Sequence, residues 1–163
     1  MHPLGLKLNP TILFIEPKTL IGISMTMSLQ DDTTAALWRS FMLQKKAIPS
    51  LADSDYYSLQ IYPADYFVSF EAGRTFEKYA LIEKQEGSVY PANWTDFNLL
   101  GGIYAIFQHR SPDTRIFEEI YTQWLPQSGY VLDNRPHFEK MPSGYIPGHP
   151  DSEEDIYIPI RAV

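Results

Sequence analysis

The chain contains no cysteine, so it has no disulfide framework, no thiol nucleophile and no thiolate metal site. Basic residues are also scarce. Thirteen Lys and Arg stand against 20 Asp and Glu, a formal charge of −7, and such a field repels polyanions while favouring encounter with cationic partners. Direct nucleic-acid binding is disfavoured on that ground. Long apolar runs are missing too: the longest are strand-sized and broken by polar residues or by Glu16, Pro17 and Lys18, whereas a membrane-spanning helix needs about 20 apolar residues. Residues 1–10 lack the basic start, apolar core and small-residue cleavage site of a secretory signal and read as a flexible lead-in. The expectation is a cytoplasmic protein with no membrane association. Asn93-Trp-Thr matches a glycosylation acceptor, but without a secretion signal it reads as chance. There is no glycine-rich phosphate loop, no Gly-x-Ser-x-Gly elbow and no paired-histidine zinc helix. His109 and His137 have no partners at ligand spacing, so neither a metal nor a cofactor is expected.

What the chain does have is aromatic surface. Eleven Tyr, nine Phe and three Trp in 163 residues suffice for one good core, or for two small ones sharing a seam. Thr11 to Ile15 and Thr19 to Met27 read as an interrupted strand region with Pro17 at a bend. Asp31, Asp32 and Thr33 then open a helix carrying Leu37, Trp38, Phe41 and Met42, with Lys45 and Lys46 in its last turn and Pro49 as its stop. Tyr56 to Tyr62 and Phe76 to Glu83 read as strands around a Pro63-Ala-Asp-Tyr turn. The same order then repeats. Trp94 to His109 reads as a strand bent or bulged at Gly101-Gly102, followed by a helix capped by Ser111-Pro112 and ending near Pro126. That helix carries Ile116, Phe117, Ile120, Tyr121, Trp124 and Leu125, apolar pairs at a four-residue step on one face. Phe138 to Met141 and Asp155 to Ile160 supply closing strands.

In their order and spacing, Gly102-Ile-Tyr-Ala-Ile-Phe-Gln-His, Trp124-Leu-Pro-Gln-Ser-Gly-Tyr, Phe138-Glu and Ile156-Tyr-Ile-Pro-Ile resemble the C-terminal half of the GyrI-like, or AraC-type, effector-binding domain. Leu20-Ile-Gly-Ile and Lys78-Tyr-Ala-Leu-Ile resemble the first and last strands of its first module. The resemblance implies an α+β fold of two strand-helix-strand-strand modules, about residues 11–90 and 91–163, related by a pseudo-two-fold within a single domain of residues 11–163. Their strands form a curved antiparallel sheet with helices packed on it, and a ligand sits in the groove between modules. Met141 departs from the family, which often has a tyrosine two positions after its glutamate.

Glu139 is the leading functional residue. A partly desolvated carboxylate among ring faces attracts a cation, and each ring adds cation–π attraction of about 0.5–2 kcal/mol. The candidate ligand contacts are Glu139, Trp38, Tyr57, Tyr104, Phe107, Trp124 and Tyr157. From strand alternation alone, His137, Glu139 and Met141 share one face and Phe138 and Lys140 the other. The plain alternatives are a solvent-facing Glu139 paired with Lys140 or Arg135, tryptophans that only pack the core, and tyrosines that merely suit strands. The expected function is stand-alone binding of hydrophobic, cationic small molecules, as a sensor or drug-binding protein, since the chain has no basic helix for a DNA-reading module. The resemblance also implies two other functions. One is a hydrolase of reactive electrophiles with Glu139 as general acid/base; the other is a gyrase-inhibitor-like module that contacts a protein partner.

Overall fold

A computed structural model describes residues 8–48, 54–110, 115–145 and 151–163. The strands are β1 (Thr11–Ile15), β2 (Lys18–Ser28), β3 (Tyr56–Ile61), β4 (Thr75–Glu83), β5 (Thr95–Leu99), β6 (Gly102–Arg110), β7 (Tyr130–Leu132), β8 (His137–Met141) and β9 (Glu153–Ala162). Helix α1 is Thr34–Lys45. Helix α2 is continuous through Arg115–Glu119, Ile120–Trp124 and Leu125–Gln127, its middle stretch π-helical. The Ser111-Pro112 cap, the Pro49 stop and the first seven residues of the lead-in lie outside the described residues. Among the described residues no helix is long and apolar enough to cross a membrane.

All pairings are antiparallel, in the order β1-β6-β9-β8-β3-β4-β2-β5, with β7 added against the far end of β9. The two modules of the α+β fold are thus β2-α1-β3-β4 and β6-α2-β8-β9, and they join where β3 pairs with β8. Two short links force the sheet to curve. Ile15 and Lys18 are three residue steps apart, a reach of at most about 11 Å. Six inter-strand spacings separate β1 from β2 in the order, which in a flat sheet would be about 29 Å. Leu99 to Gly102 repeats the constraint between β5 and β6. The sheet therefore curls until its ends meet, and Leu20 and Leu99 from one end pack in one cluster with Tyr104 from the other, alongside Tyr57, Leu59, Leu81 and Phe138.

Two sequence expectations are corrected here. Thr11–Ile15 and the strand after Pro17 are not one interrupted strand, and Trp94 to His109 is not one bent strand. In both cases the chain steps from one end of the sheet to the other, at Pro17 and at Gly101-Gly102. Pro17 cannot extend a ladder because it lacks an N–H. A Cβ on Gly101 would lie 2.7 Å from the Ile15 carbonyl oxygen, so the two links lie against each other. Strand β7, Tyr130–Leu132, was not anticipated; three residues carry too short a pattern to signal a strand.

The helices lie on the outer face. Leu37 and Phe41 of α1 are fully buried, with Phe41 stacked on Trp94 at 4.6 Å. Ile116 and Ile120 of α2 are buried against Ala105, Phe107, Ile156, Ile158 and Ile160. Asp32 Oδ1 accepts the Thr34 N–H at 2.9 Å and so serves the first turn of α1. Pro126 has no N–H for the Thr122 carbonyl, in a helix already widened to π geometry just before it.

Candidate ligand-binding site

Each helix divides its apolar stripe between core and groove. In α1, Leu37 and Phe41 point into the core, whereas Trp38 and Met42 line a cavity of about 840 Å³ with Ala35, Arg39, Tyr56, Ser58, Met141 and Tyr145. In α2, Ile116 and Ile120 point inward, whereas Phe117, Tyr121 and Leu125 line a second cavity of about 820 Å³. Tyr62, Tyr66, Phe67, Phe70, Phe76 and His137 supply most of the rings in its wall. Asp32, Thr34, Lys78 and Glu139 border both cavities. The two are lobes of one groove between the helices, with Glu139 and Lys78 on the divide.

The sheet register explains why space exists there. Across the outer face, Ala80, Ser58, Glu139, Ile156 and Phe107 fall in one row. Ala80 and Ser58 are small, so the sheet floor beside Glu139 is low on the α1 side. The neighbouring row is Lys78, Gln60 and His137. The Gln60 side-chain carbonyl accepts from Lys78 Nζ, and its amide donates to the His137 carbonyl at 2.9 Å. The Tyr121 hydroxyl lies 2.9 Å from His137 Nδ1. Phe67 stacks on Tyr121 at 5.0 Å and on His137 at 5.4 Å, closing the second lobe with rings.

Electrostatically the groove floor gathers ionisable groups, Lys78 and Glu154 buried and Glu139 half-buried. Burial pushes the Glu139 carboxyl up to about 8; Lys78 opposes that rise and Glu154 adds to it. Burial lowers the Lys78 ammonium, against the pull of Glu139, Asp32 and Glu154. Glu154, buried itself, meets His109 Nδ1 at 3.1 Å. Burial, aided by the Arg135 charge, depresses His137 to about 3, so its ring is neutral. The Tyr121 phenol is held well above its ordinary range, by burial first and then by Tyr62 and Glu139.

Of the sequence-derived candidates, Glu139 and Trp38 meet at the first lobe. Tyr157 borders the second, although its ring stacks on Phe138 at 4.3 Å in the cluster on the inner face. Tyr57 and Tyr104 belong to that same inner cluster, and the Tyr57 hydroxyl donates to Glu83 at 2.8 Å. Trp124 packs edge-on to Phe107 at 5.1 Å, under α2 and outside both lobes. Phe107 is buried in that packing and borders a separate surface cavity near β1. Lys78, Glu154, Tyr62, Tyr66, Phe67 and Tyr121 escaped the sequence reading as site residues. Only Tyr121 carried a usable signal, its place beside Ile120 on the helix stripe. The others come from a turn or from strand positions whose face no sequence pattern sets.

A curved antiparallel sheet with one helix packed on each module is the fold of a GyrI-like effector-binding domain. The chain matches the Cass2 family of integron-associated effector binding proteins over residues 11–160, and it belongs to that family. Among solved structures, an integron cassette protein from the mobile metagenome of Vibrio cholerae is similar, with 15% identity and a TM-score of 0.65, covering 93% of this chain and 95% of that one. SAV2435, in a structure bound to tetraphenylphosphonium, is 17% identical at a TM-score of 0.64, with 94% of each chain covered. A Listeria innocua protein described as a hydrolase encoded by lin2189 is 9% identical at a TM-score of 0.63, covering 95% of this chain and 93% of that one. At such identities the likeness is one of fold. No curated protein matches the sequence.

Proposed function

We propose that this protein binds hydrophobic organic cations in the groove between α1 and α2, as a cytoplasmic sensor or drug-binding protein that does not itself contact nucleic acid. The observation that carries the reading is the position of Glu139, a carboxyl on the shared floor of two ring-lined lobes. Ring faces accept a flat or globular cation with little demand on its outline, while the carboxylate selects charge sign. Support comes from the cation held by SAV2435, a protein of the same fold. Because the Glu139 carboxyl holds its proton near neutral pH, an entering cation is expected to release that proton.

Titration with tetraphenylphosphonium, followed through tryptophan fluorescence because Trp38 lines the first lobe, tests the reading. Glu139→Gln is expected to weaken binding about tenfold, or about 1.4 kcal/mol. Equal affinity in the two proteins would remove Glu139 from the site. One observation favours a second reading: a carboxyl pushed up to about 8 is poised for general acid/base work at neutral pH, and a protein of the same fold is described as a hydrolase. Turnover of an electrophile panel that disappears in Glu139→Gln would select the enzyme.

A further inference from the structure

The groove floor presents hydrogen-bond donors that the protein leaves unused. The Lys78 side chain is buried and borders both lobes. An ammonium carries three N–H donors, and among the described residues only the Gln60 carbonyl accepts one of them. Nor does Lys78 form a direct ion pair among the described residues, whether with Glu139 or with any other carboxylate. Glu139, Asp32 and Glu154 favour its charged form from a distance, against the burial that lowers it. Buried donors without acceptors are costly to a fold and are a common mark of a place completed by something else.

These donors bear on what kind of cation fits. A ligand that brings positive charge alone to Glu139 also meets the Lys78 ammonium on the same floor, which works against it. A ligand that brings an acceptor as well satisfies Lys78 and cancels that repulsion. We propose that the preferred ligands are amphoteric: flat organic cations that also carry a carboxylate or an equivalent anionic acceptor, with the cationic centre against Glu139 and the acceptor on Lys78 Nζ. The proposal rests on the reading of Glu139 as the cation anchor and makes Lys78 the specificity-determining residue of the groove.

Rhodamine B and its ethyl ester form a suitable probe pair, since both carry the same delocalised cation and only the acid has a free carboxylate. Fluorescence anisotropy with the full chain is expected to show rhodamine B binding about tenfold more tightly than the ester. In Lys78→Met that advantage is expected to shrink to within about twofold, through weaker binding of the acid and stronger binding of the ester. Equal or inverted affinity of the two dyes for the unmodified protein overturns the proposal without recourse to any variant, as does a preference that survives in Lys78→Met. If the ester binds in a Glu139-dependent way and the acid has no advantage, the cation-anchor reading stands and this one falls. If neither dye binds, both fall.

Discussion

His137 and Glu139 stand two residues apart on one strand face, and burial moves their proton affinities so that they oppose each other in stability. His137 is depressed from 6.5 to about 3, so its contribution is present above pH 6.5 and is lost as the pH falls toward 3. Glu139 is raised from 4.5 to about 8, so its contribution is present below pH 4.5 and is lost as the pH rises toward 8. Between pH 4.5 and 6.5 the unfolded chain binds one proton more at His137 and the folded chain one proton more at Glu139. The two slopes, each about 1.4 kcal/mol per pH unit at full strength, cancel. These two groups therefore add no net pH dependence to the unmodified protein over that window. Their partial titration at the window's ends leaves about 2 kcal/mol on each side to be uncovered. In Glu139→Gln the His137 slope stands alone, and stability should fall by about 2 kcal/mol from pH 6.5 to 4.5. In His137→Gln, where the amide can still meet the Tyr121 hydroxyl, stability should instead rise by about 2 kcal/mol over the same interval. Urea midpoints at half-unit steps with a fixed m-value provide the measurement. Asp155, which burial also raises, is present in all three proteins, so the test lies in the differences between curves. Three parallel curves would refute the assignment of a neutral buried imidazole beside a protonated carboxyl.

Other consequences are local. A Cβ on Gly22 would overlap the Ala80 carbonyl oxygen of the paired strand, so Gly22→Ala should lower stability by more than about 2 kcal/mol, read as a fall in the melting temperature. Tyr57→Phe removes a hydroxyl that bonds Glu83 on the inner face; it should cost about 1 kcal/mol or less and leave tetraphenylphosphonium affinity within about twofold. Trp38→Ala, which strips the wall of the first lobe, should weaken the same probe several-fold, and because the ring also packs on Phe41 and Tyr56 it should lower the urea midpoint as well. If Tyr57→Phe instead had the larger effect on binding, the ligand would have to sit on the inner face.

The GyrI-like resemblance was legible because the second half carries its pattern densely. The paired apolar steps of α2 and the alternation around Glu139 are local properties, and both survive in the structure. Even so, the stripe of α2 misled about Trp124. Ile116, Ile120 and Trp124 turn to the core while Phe117, Tyr121 and Leu125 turn to the groove, a division of about one residue's rotation that a four-residue repeat cannot resolve. Tyr57, Tyr104 and Tyr157 misled for a related reason: alternation separates two faces without naming which one a helix covers.

From the sequence alone came the element types, the module order, the acidic field and the face that Glu139 shares with His137 and Met141, since each depends on neighbours within a turn or a strand. Tertiary structure decided the rest. The curl of the sheet follows from two links that each join its opposite ends. The groove follows from Ala80 and Ser58 falling in register with Glu139. The placement of Lys78 and Asp32 beside that carboxyl needs pairings between residues dozens of positions apart, and such contacts leave no periodic trace in a single chain.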